Sequence, residues 1–286
     1  MSLYHRLTYA LLAIPGETIE RGFWYVSFAG FAWLVLHLIF AKRLASRRIS
    51  DKPNTISQMS WEFLYSLRSL AVYGLVGGFM VFAVASGWTQ MYYRRLDQFG
   101  WPWFFLSIGV TILIHDTYFY WTHRLMHHPR LFRVMHHTHH LSTNPSPWAA
   151  YSFSTWEAFV QAGIAPLVIF TMPIHPLAFS IFMLWQISFN VLGHCGYELF
   201  PRWFVRSWCG RILNTATHHA QHHETNRANF SLYFNYWDRL LGTNHQRYEE
   251  RFAEAVGDKL SPSVHAGLVD EPLEVGPLVV SKSQLS

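Results

Sequence analysis

The chain has 286 residues, of which 51% are hydrophobic, 17% are aromatic and only 14% are charged. Globular domains carry about 25% charged residues, so this composition favours a membrane protein and excludes disordered, collagen-like and coiled-coil chains. Two cysteines exclude a disulfide scaffold and a zinc site of four thiolates. The net charge of +5 comes from basic residues that flank apolar stretches, which does not indicate a nucleic-acid-binding face.

The first apolar stretch predicts a membrane-spanning helix. Residues 1–21 are mixed in character, and Pro15 with Gly16 predicts a break there. Residues 22–40 are strongly apolar, and as a helix they extend about 28 Å, enough to cross the bilayer core. The basic cluster that follows predicts that this end of the helix is cytosolic, and it consists of Lys42, Arg43, Arg47 and Arg48.

Two more spans and a hairpin are predicted further along the chain. The spans cover residues 70–88 and 101–121, and Pro173 and Pro176 divide residues 158–193 into two shorter apolar stretches. The histidine-rich segments on either side of this hairpin then lie at one membrane face. The pattern therefore predicts an all-α integral-membrane bundle of four to five helices with a cytosolic histidine-rich helical cap.

The same pattern predicts how the chain is divided. Residues 1–100 form an N-terminal membrane region with two spans, and residues 101–245 form the histidine-rich region that carries the chemistry. Residues 246–286 are predicted to be a C-terminal tail, because their final part is rich in Pro, Ser and Val without periodicity.

Histidine is the most informative residue type. The chain has 18 histidines, and 14 of them lie between His115 and His223. Residues three and four apart share one face of a helix, whereas His137 would point elsewhere. Three short segments therefore each present two or three imidazoles to one point: His123 and His127; His136, His139 and His140; and His219, His222 and His223.

So many imidazoles exceed the coordination number of one metal ion and predict two ions, for which Fe, Zn, Cu and Ni are all suitable. Between His115 and His223 the only acids are Asp116, Glu157 and Glu198, which excludes a ferritin-like carboxylate bundle. No HExxH motif occurs, which excludes that class of metalloprotease. Asp116 lies on the helical stripe of His123 and is expected to accept the second ring N–H of a ligating histidine.

Other classes of protein fit the histidine pattern less well than a metal enzyme does. A membrane transporter or channel for metals would need polar residues at mid-depth in its spans, whereas these histidines lie at span ends. A metal-binding buffer protein would show low complexity rather than interleaved Trp, Tyr and Phe. A bis-histidine haem protein would need single, separated histidines.

With these motifs the sequence resembles the fatty acid hydroxylase superfamily, the integral-membrane di-iron enzymes that include sterol desaturases and sterol methyl oxidases. The resemblance covers about residues 107–243, and depends on HRLMH at 123–127, HHTHH at 136–140 and HAQHH at 219–223. Residues 130–148 are most similar to the sterol C-5 desaturase branch. The GHCGYE motif at 193–198 is more similar to the sterol methyl oxidase branch.

The resemblance implies that residues 101–245 form the catalytic domain, and that two irons use O2 to desaturate or hydroxylate a lipid. The expected substrate is sterol-like or fatty acyl, with hydroxylation of another membrane lipid as an alternative. It also implies nine iron ligands: His123, His127, His136, His139, His140, His194, His219, His222 and His223. The adjacent His128 and His218 are weaker candidates.

The electrons for such a reaction must come from elsewhere. The chain has no GxGxxG dinucleotide motif and no cysteine set for an Fe–S cluster, which predicts a separate donor, cytochrome b5-like or ferredoxin-like. Four arginines are either its docking residues or ordinary flanking charges: Arg202, Arg206, Arg211 and Arg227. Five aromatic residues are either the lining of an apolar substrate pocket or an interfacial belt: Trp148, Tyr151, Phe153, Trp156 and Phe159.

Overall fold

The computed structural model describes residues 1–257, and within this range the chain is helical, with isolated β-bridges in place of strands. The predicted all-α fold is confirmed. Four long helices form the body: α1 (Leu3–Trp33), α2 (Ile56–Ala85), α3 (Trp101–Met126) and α8 (Pro176–Gly193). Shorter helices complete the hairpin and the cap: α4 (Pro129–Met135), α5 (His137–His140), α6 (Thr155–Ala162), α7 (Ile164–Thr171), α9 (Ala216–Thr225), α10 (Tyr236–Leu240) and α11 (Tyr248–Ala255).

Three helices in the described range are long and apolar enough to cross a membrane: Leu3–Ile39, Ile56–Ala85 and Pro176–Gly193. The predicted spans at residues 22–40 and 70–88 fall largely within the first two. The third predicted span, residues 101–121, lies in α3, which is helical but is not among the three. Polar residues such as His115 and Asp116 interrupt its apolar character.

The predicted break at Pro15 and Gly16 is wrong, because α1 continues through both residues and ends in a π-helical turn, Leu34–Ile39. A proline removes one backbone donor from a helix. In an apolar environment a complete break would leave several backbone groups without partners, so continuing the helix costs less.

Helices α1 and α2 pack very closely because glycines line the contact. A Cβ atom on Gly78 would lie 2.6 Å from Cγ1 of Ile14, and one on Gly77 would lie 2.7 Å from Cγ of Glu17. Small residues allow this approach between membrane helices. The close contact brings the charged side chains of Glu17 and Arg21 against α2.

Buried carboxylates hold the segments of the cap together. Asp238 accepts hydrogen bonds from the backbone N–H of Phe230 and Ser231 at 2.9 and 2.8 Å, and Glu198 accepts bonds from the backbone and hydroxyl of Thr217. These bonds set the position of α9 and of the loop that follows it.

The segment predicted as a tail begins in ordered structure. Helix α11 packs against the cap, and its Tyr248 hydroxyl lies 3.1 Å from the Thr215 hydroxyl. The remainder of the predicted tail, from residue 258 onward, lies outside the described residues. The division of the chain into three regions remains a prediction.

Candidate metal centre

Local capping positions the histidines on their helices. Thr215 accepts a hydrogen bond from the His218 N–H at 3.3 Å and so fixes the first turn of α9. The following turns place His219, His222 and His223 on the buried side. His194 is the C-cap of α8, and His123 lies in the last turn of α3.

The structure brings these rings together into two groups, each with its ligand nitrogens within 4.8 Å of one another. The first group comprises His123, His127, His136, His140 and His222. The second comprises His139, His194, His219 and His223. These are the nine histidines that the resemblance implies as ligands, and eight of them are buried while His127 is half-buried.

In the first group, several rings direct Nε2 inward and donate Nδ1–H outward. Nδ1 of His123 and of His222 donates to the carbonyls of Phe230 and Ala228, each at 2.7 Å. Nδ1 of His136 lies 2.7 Å from Oε1 of Glu157. The two carbonyls fix the tautomer of His123 and His222 and leave Nε2 of each ring with an unprotonated lone pair.

The carbonyls that accept these ring N–H groups come from the loop after α9. Asn226 and Asn229 both adopt the left-handed conformation, with φ of 59° and 61°, which asparagine tolerates better than most residues. The Asn229 amide donates to the carbonyl of His218 at 3.0 Å. The loop therefore folds back along its own helix and presents its carbonyls to the rings.

In the second group, His194 is the ring with a defined outer partner. Its Nδ1 donates to the Asn190 carbonyl at 2.7 Å, and its Nε2 lies 3.0 Å from Nε2 of His219 and 3.3 Å from Nε2 of His139. Nε2 of His223 lies 3.2 Å from that of His219.

The two groups adjoin, because helices α5 and α9 each contribute to both. His139 and His140 are consecutive in sequence, as are His222 and His223, and members of each pair belong to different groups. The ring centroids of His140 and His223 are 4.8 Å apart. The arrangement can accommodate two neighbouring metal ions.

The ring geometry fits metal ions better than a set of free imidazoles. Nε2 of His123 and of His136 are 2.9 Å apart, and each carries a lone pair when its Nδ1 is protonated. Two nitrogens at about 2.1 Å from one ion and at a right angle to each other are about 3.0 Å apart. Lone pairs this close repel each other unless a cation lies between them.

Protonation of the rings is a poor alternative to metal binding. Burial lowers the pKa of His139, His140, His219 and His223 well below the ordinary value for histidine. Burial likewise lowers the pKa of His194 to about 4. Buried rings are therefore neutral near pH 7, the form that ligates metals.

The acid beside the centre is Glu157, which was not singled out from the sequence among the three acids between His115 and His223. Glu157 lies in the first turn of α6, where Ser154 caps the helix by accepting the Glu157 N–H. Asp116, the predicted acceptor, instead accepts the backbone N–H groups of Tyr233 and Phe234 at 2.7 and 3.2 Å. Glu157 is the only charged residue of α6, and this isolated charge was the signal in the sequence that could have identified it.

The neighbouring histidines lie elsewhere. His128 and His137 are exposed, and His218 is buried outside both groups with Nε2 3.7 Å from Oδ2 of Asp238. His115 is also buried, and its Nδ1 lies 2.8 Å from the Tyr233 hydroxyl.

A largely apolar cavity within the bundle is lined by two residues that contact the second group. Phe153 lines it and lies 5.1 Å, between ring centroids, from His139, and Asn190 lines it beside His194. Of the other aromatic residues singled out in the sequence, Tyr151 also lines the cavity and Trp148 packs in the core. Trp156 and Phe159 are exposed on the outer surface.

The chain is similar to known proteins of one family. Residues 108–243 match the model of a family described as fatty acid hydroxylase. A Delta(7)-sterol 5(6)-desaturase of Gibberella zeae is 26% identical over 261 residues, which cover 90% of this chain and 78% of that protein. No solved structure matches the chain.

Two further relatives come from vertebrates. A lathosterol oxidase of Rattus norvegicus is 26% identical over 65% of this chain and 61% of its own length. A cholesterol 25-hydroxylase-like protein of Danio rerio is 27% identical over 66% of this chain and 75% of its own length.

These matches agree with the three apolar helices and with the paired histidine groups. The protein is an integral membrane oxidoreductase of the sterol desaturase type that acts on lipids. Residues 108–243 form a fatty acid hydroxylase domain, and the sterol desaturases among the relatives support its place in the fatty acid hydroxylase superfamily.

Proposed function

We propose that the two histidine groups bind two iron ions, and that the enzyme uses O2 to oxidise a C–H bond of a sterol-like or fatty acyl lipid. The observation that carries this proposal is the pair of adjoining groups of neutral, inward-facing imidazoles. When bound, the irons supply the activation of O2 and the removal of hydrogen from an unactivated carbon. No ionisable side chain has that capacity, so general-base catalysis is not proposed.

The relative from Gibberella zeae favours introduction of a double bond, since it is named as a sterol desaturase. The relative named as a cholesterol 25-hydroxylase-like protein supports hydroxylation as the alternative outcome. Residues 101–245, which contain the matched segment, are the proposed catalytic domain.

Each group is proposed to hold one ion, with the nine clustered histidines as ligands. The carbonyls of Ala228, Phe230 and Asn190 accept ring N–H groups, so that the inward nitrogens keep their orientation and tautomer. Glu157, whose Oε1 lies 2.7 Å from Nδ1 of His136, is proposed to do the same for that ring. Fixed ligand orientation avoids reorganisation during turnover.

Aromatic side chains keep water away from the centre. The Phe230 ring lies 5.1 to 5.8 Å, between centroids, from the rings of His123, His127 and His222. Phe153 covers His139 on the side of the cavity. A dry site protects a reactive oxidant from side reactions.

The substrate is proposed to enter from the bilayer through the cavity between α1, α2 and α8, whose walls are mostly apolar. The cap is proposed to face the cytosol, because the basic cluster that follows α1 lies at the cap end of that helix. A separate electron donor, cytochrome b5-like or ferredoxin-like, is proposed to dock there, with Arg202, Arg206, Arg211 and Arg227 as candidate contacts.

The test combines metal analysis with lipid analysis. The purified protein should contain about two irons per chain and consume O2 when a reductant and lipid are supplied. Mass spectrometry of lipids from cells with and without the active protein should show a loss of about 2 mass units for desaturation, or a gain of about 16 for hydroxylation. Zinc transport into vesicles without oxidation would instead support a metal transporter.

A further inference from the structure

An ion pair lies inside the first membrane-spanning helix. Nη2 of Arg21 is 2.8 Å from Oε2 of Glu17, one turn earlier in α1, and both side chains are only partly exposed. Ionisable side chains within membrane spans are costly, and they commonly mark a pathway or a binding site for substrate. This pair lies away from the histidine groups and has no part in holding them.

Arg21 has an unused donor. Its buried Nε has no hydrogen-bond partner within the described residues. A buried donor without a partner costs free energy that a bound ligand would recover. The nearby wall is mostly apolar and includes Val76, Met80 and Ala165.

Three cavities meet at Arg21, which lines all of them. The first reaches Asn190 and Phe153 beside the second histidine group. The other two, where Glu20 also contributes, lie between α1 and α8, and one of them extends along α2 as well. Arg21 therefore stands where the space leading to the metal centre joins the space toward the bilayer.

Helix α8 gives the scale of this space. Phe179, Met183, Gln186 and Asn190 line the cavities along one face of the helix. Asn190 lies eleven positions after Phe179, which corresponds to about 16 Å along the axis. An elongated lipid held at the Arg21 end would therefore extend toward the histidines.

The local charge selects against an anionic end group. In the cavity that extends along α2, Arg21 contributes one positive charge, whereas Glu17 and Glu20 contribute two carboxylates. A fatty acid carboxylate would meet net negative charge, whereas an alcohol can accept a hydrogen bond from Arg21 and donate one to a carboxylate.

We infer that Arg21, held by Glu17, binds the uncharged hydroxyl end of the lipid substrate and sets which carbon reaches the metal centre. This inference rests on the proposed function and adds a specificity-determining residue to it. Gly77 supports the arrangement, because a side chain there would displace Glu17.

The experiment uses the purified full-length protein in lipid nanodiscs. Binding of a sterol with a free 3-hydroxyl and of its 3-deoxy analogue is measured under nitrogen, and oxidation of each is then measured in air. The native protein should bind the hydroxylated sterol about tenfold more tightly, the factor expected for one hydrogen bond to a charged group. Arg21→Gln should reduce this preference to about one.

Two further variants control the result. Glu17→Gln/Arg21→Gln removes both charges, leaves no buried charge unpaired, and should also lose the preference. Arg94→Gln changes an exposed loop arginine and should retain it. Iron content, measured for each protein, reports whether the metal centre has formed.

The outcomes separate this inference from the proposed function. The role of Arg21 would be overturned, and the proposed function left intact, if the native protein oxidised both sterols and bound them equally tightly. The same would follow if Arg21→Gln weakened the binding of both sterols by the same factor. Tighter binding of a fatty acid than of the hydroxylated sterol would also overturn it. A preference that Arg21→Gln abolishes, in a protein that oxidises neither sterol, would support the binding site and contradict the oxidation of sterols.

Discussion

Nδ1 of His136 lies 2.7 Å from Oε1 of Glu157, and both side chains are almost fully buried. The contact joins the second histidine motif to helix α6, which follows it in the chain and packs against α2. A carboxylate that accepts the outer N–H of a ligating imidazole holds the ring in place and makes it a stronger donor to the metal. Glu157 is therefore the acid whose role in metal binding is most directly testable.

Glu157→Gln should lower the affinity for iron by about 10-fold to 100-fold, the usual effect of removing such a partner. Iron retention during dialysis against a weak chelator measures this effect. Glu249→Gln, at an exposed position on α11, is the control and should retain iron like the native protein. Equal retention by all three proteins would mean that Glu157 has only a packing role.

His139→Ala removes one ring from the second group, and His222→Ala removes one ring from the first group. Each should lower the iron content by about one ion per chain and abolish turnover, because both ions are needed. His137→Ala is a matched control, since His137 lies in the same short helix as His139 but is exposed. Full activity in His139→Ala would contradict the ligand assignment.

The metal-free protein should lose stability as the pH falls from about 6.5 toward 4. Burial lowers the pKa of both His194 and His218 to about 4, whereas histidine in an unfolded chain titrates near 6.5. Between these values the unfolded chain binds protons that the folded chain excludes, so acid favours unfolding. Thermal unfolding followed by tryptophan fluorescence at pH 8 to 4 measures this, and a constant midpoint would refute it.

Gly78→Ala should destabilise the bundle by about 1–3 kcal/mol, the usual cost of overpacking. The added Cβ would lie 2.6 Å from Ile14 and 2.9 Å from the Ala10 carbonyl. Gly109→Ala is the matched control within α3, because its added Cβ meets nothing within 4 Å and the helix gains from alanine. Thermal unfolding in detergent compares the two, and equal midpoints would show that α1 can move away from α2 at little cost.

The sequence was sufficient to predict the class of fold and which histidines of each short segment share a helix face. Helical periodicity alone indicates that His136, His139 and His140 share a face while His137 does not, and the structure places His137 outside. That information is local, because positions three and four apart are neighbours on any α-helix. The helix through Pro15 was not predicted, because the rule for proline assumes that water can satisfy a broken helix.

Only the tertiary structure decided how the nine rings are divided between two groups. His139 and His140 are adjacent in sequence yet belong to different groups, since their directions around a helix differ and each meets rings from distant segments. The same holds for the partnership of Glu157 with His136 and for the meeting of the cavities at Arg21. Local periodicity fixes which face a side chain occupies, but the packing of separate helices determines what that face meets.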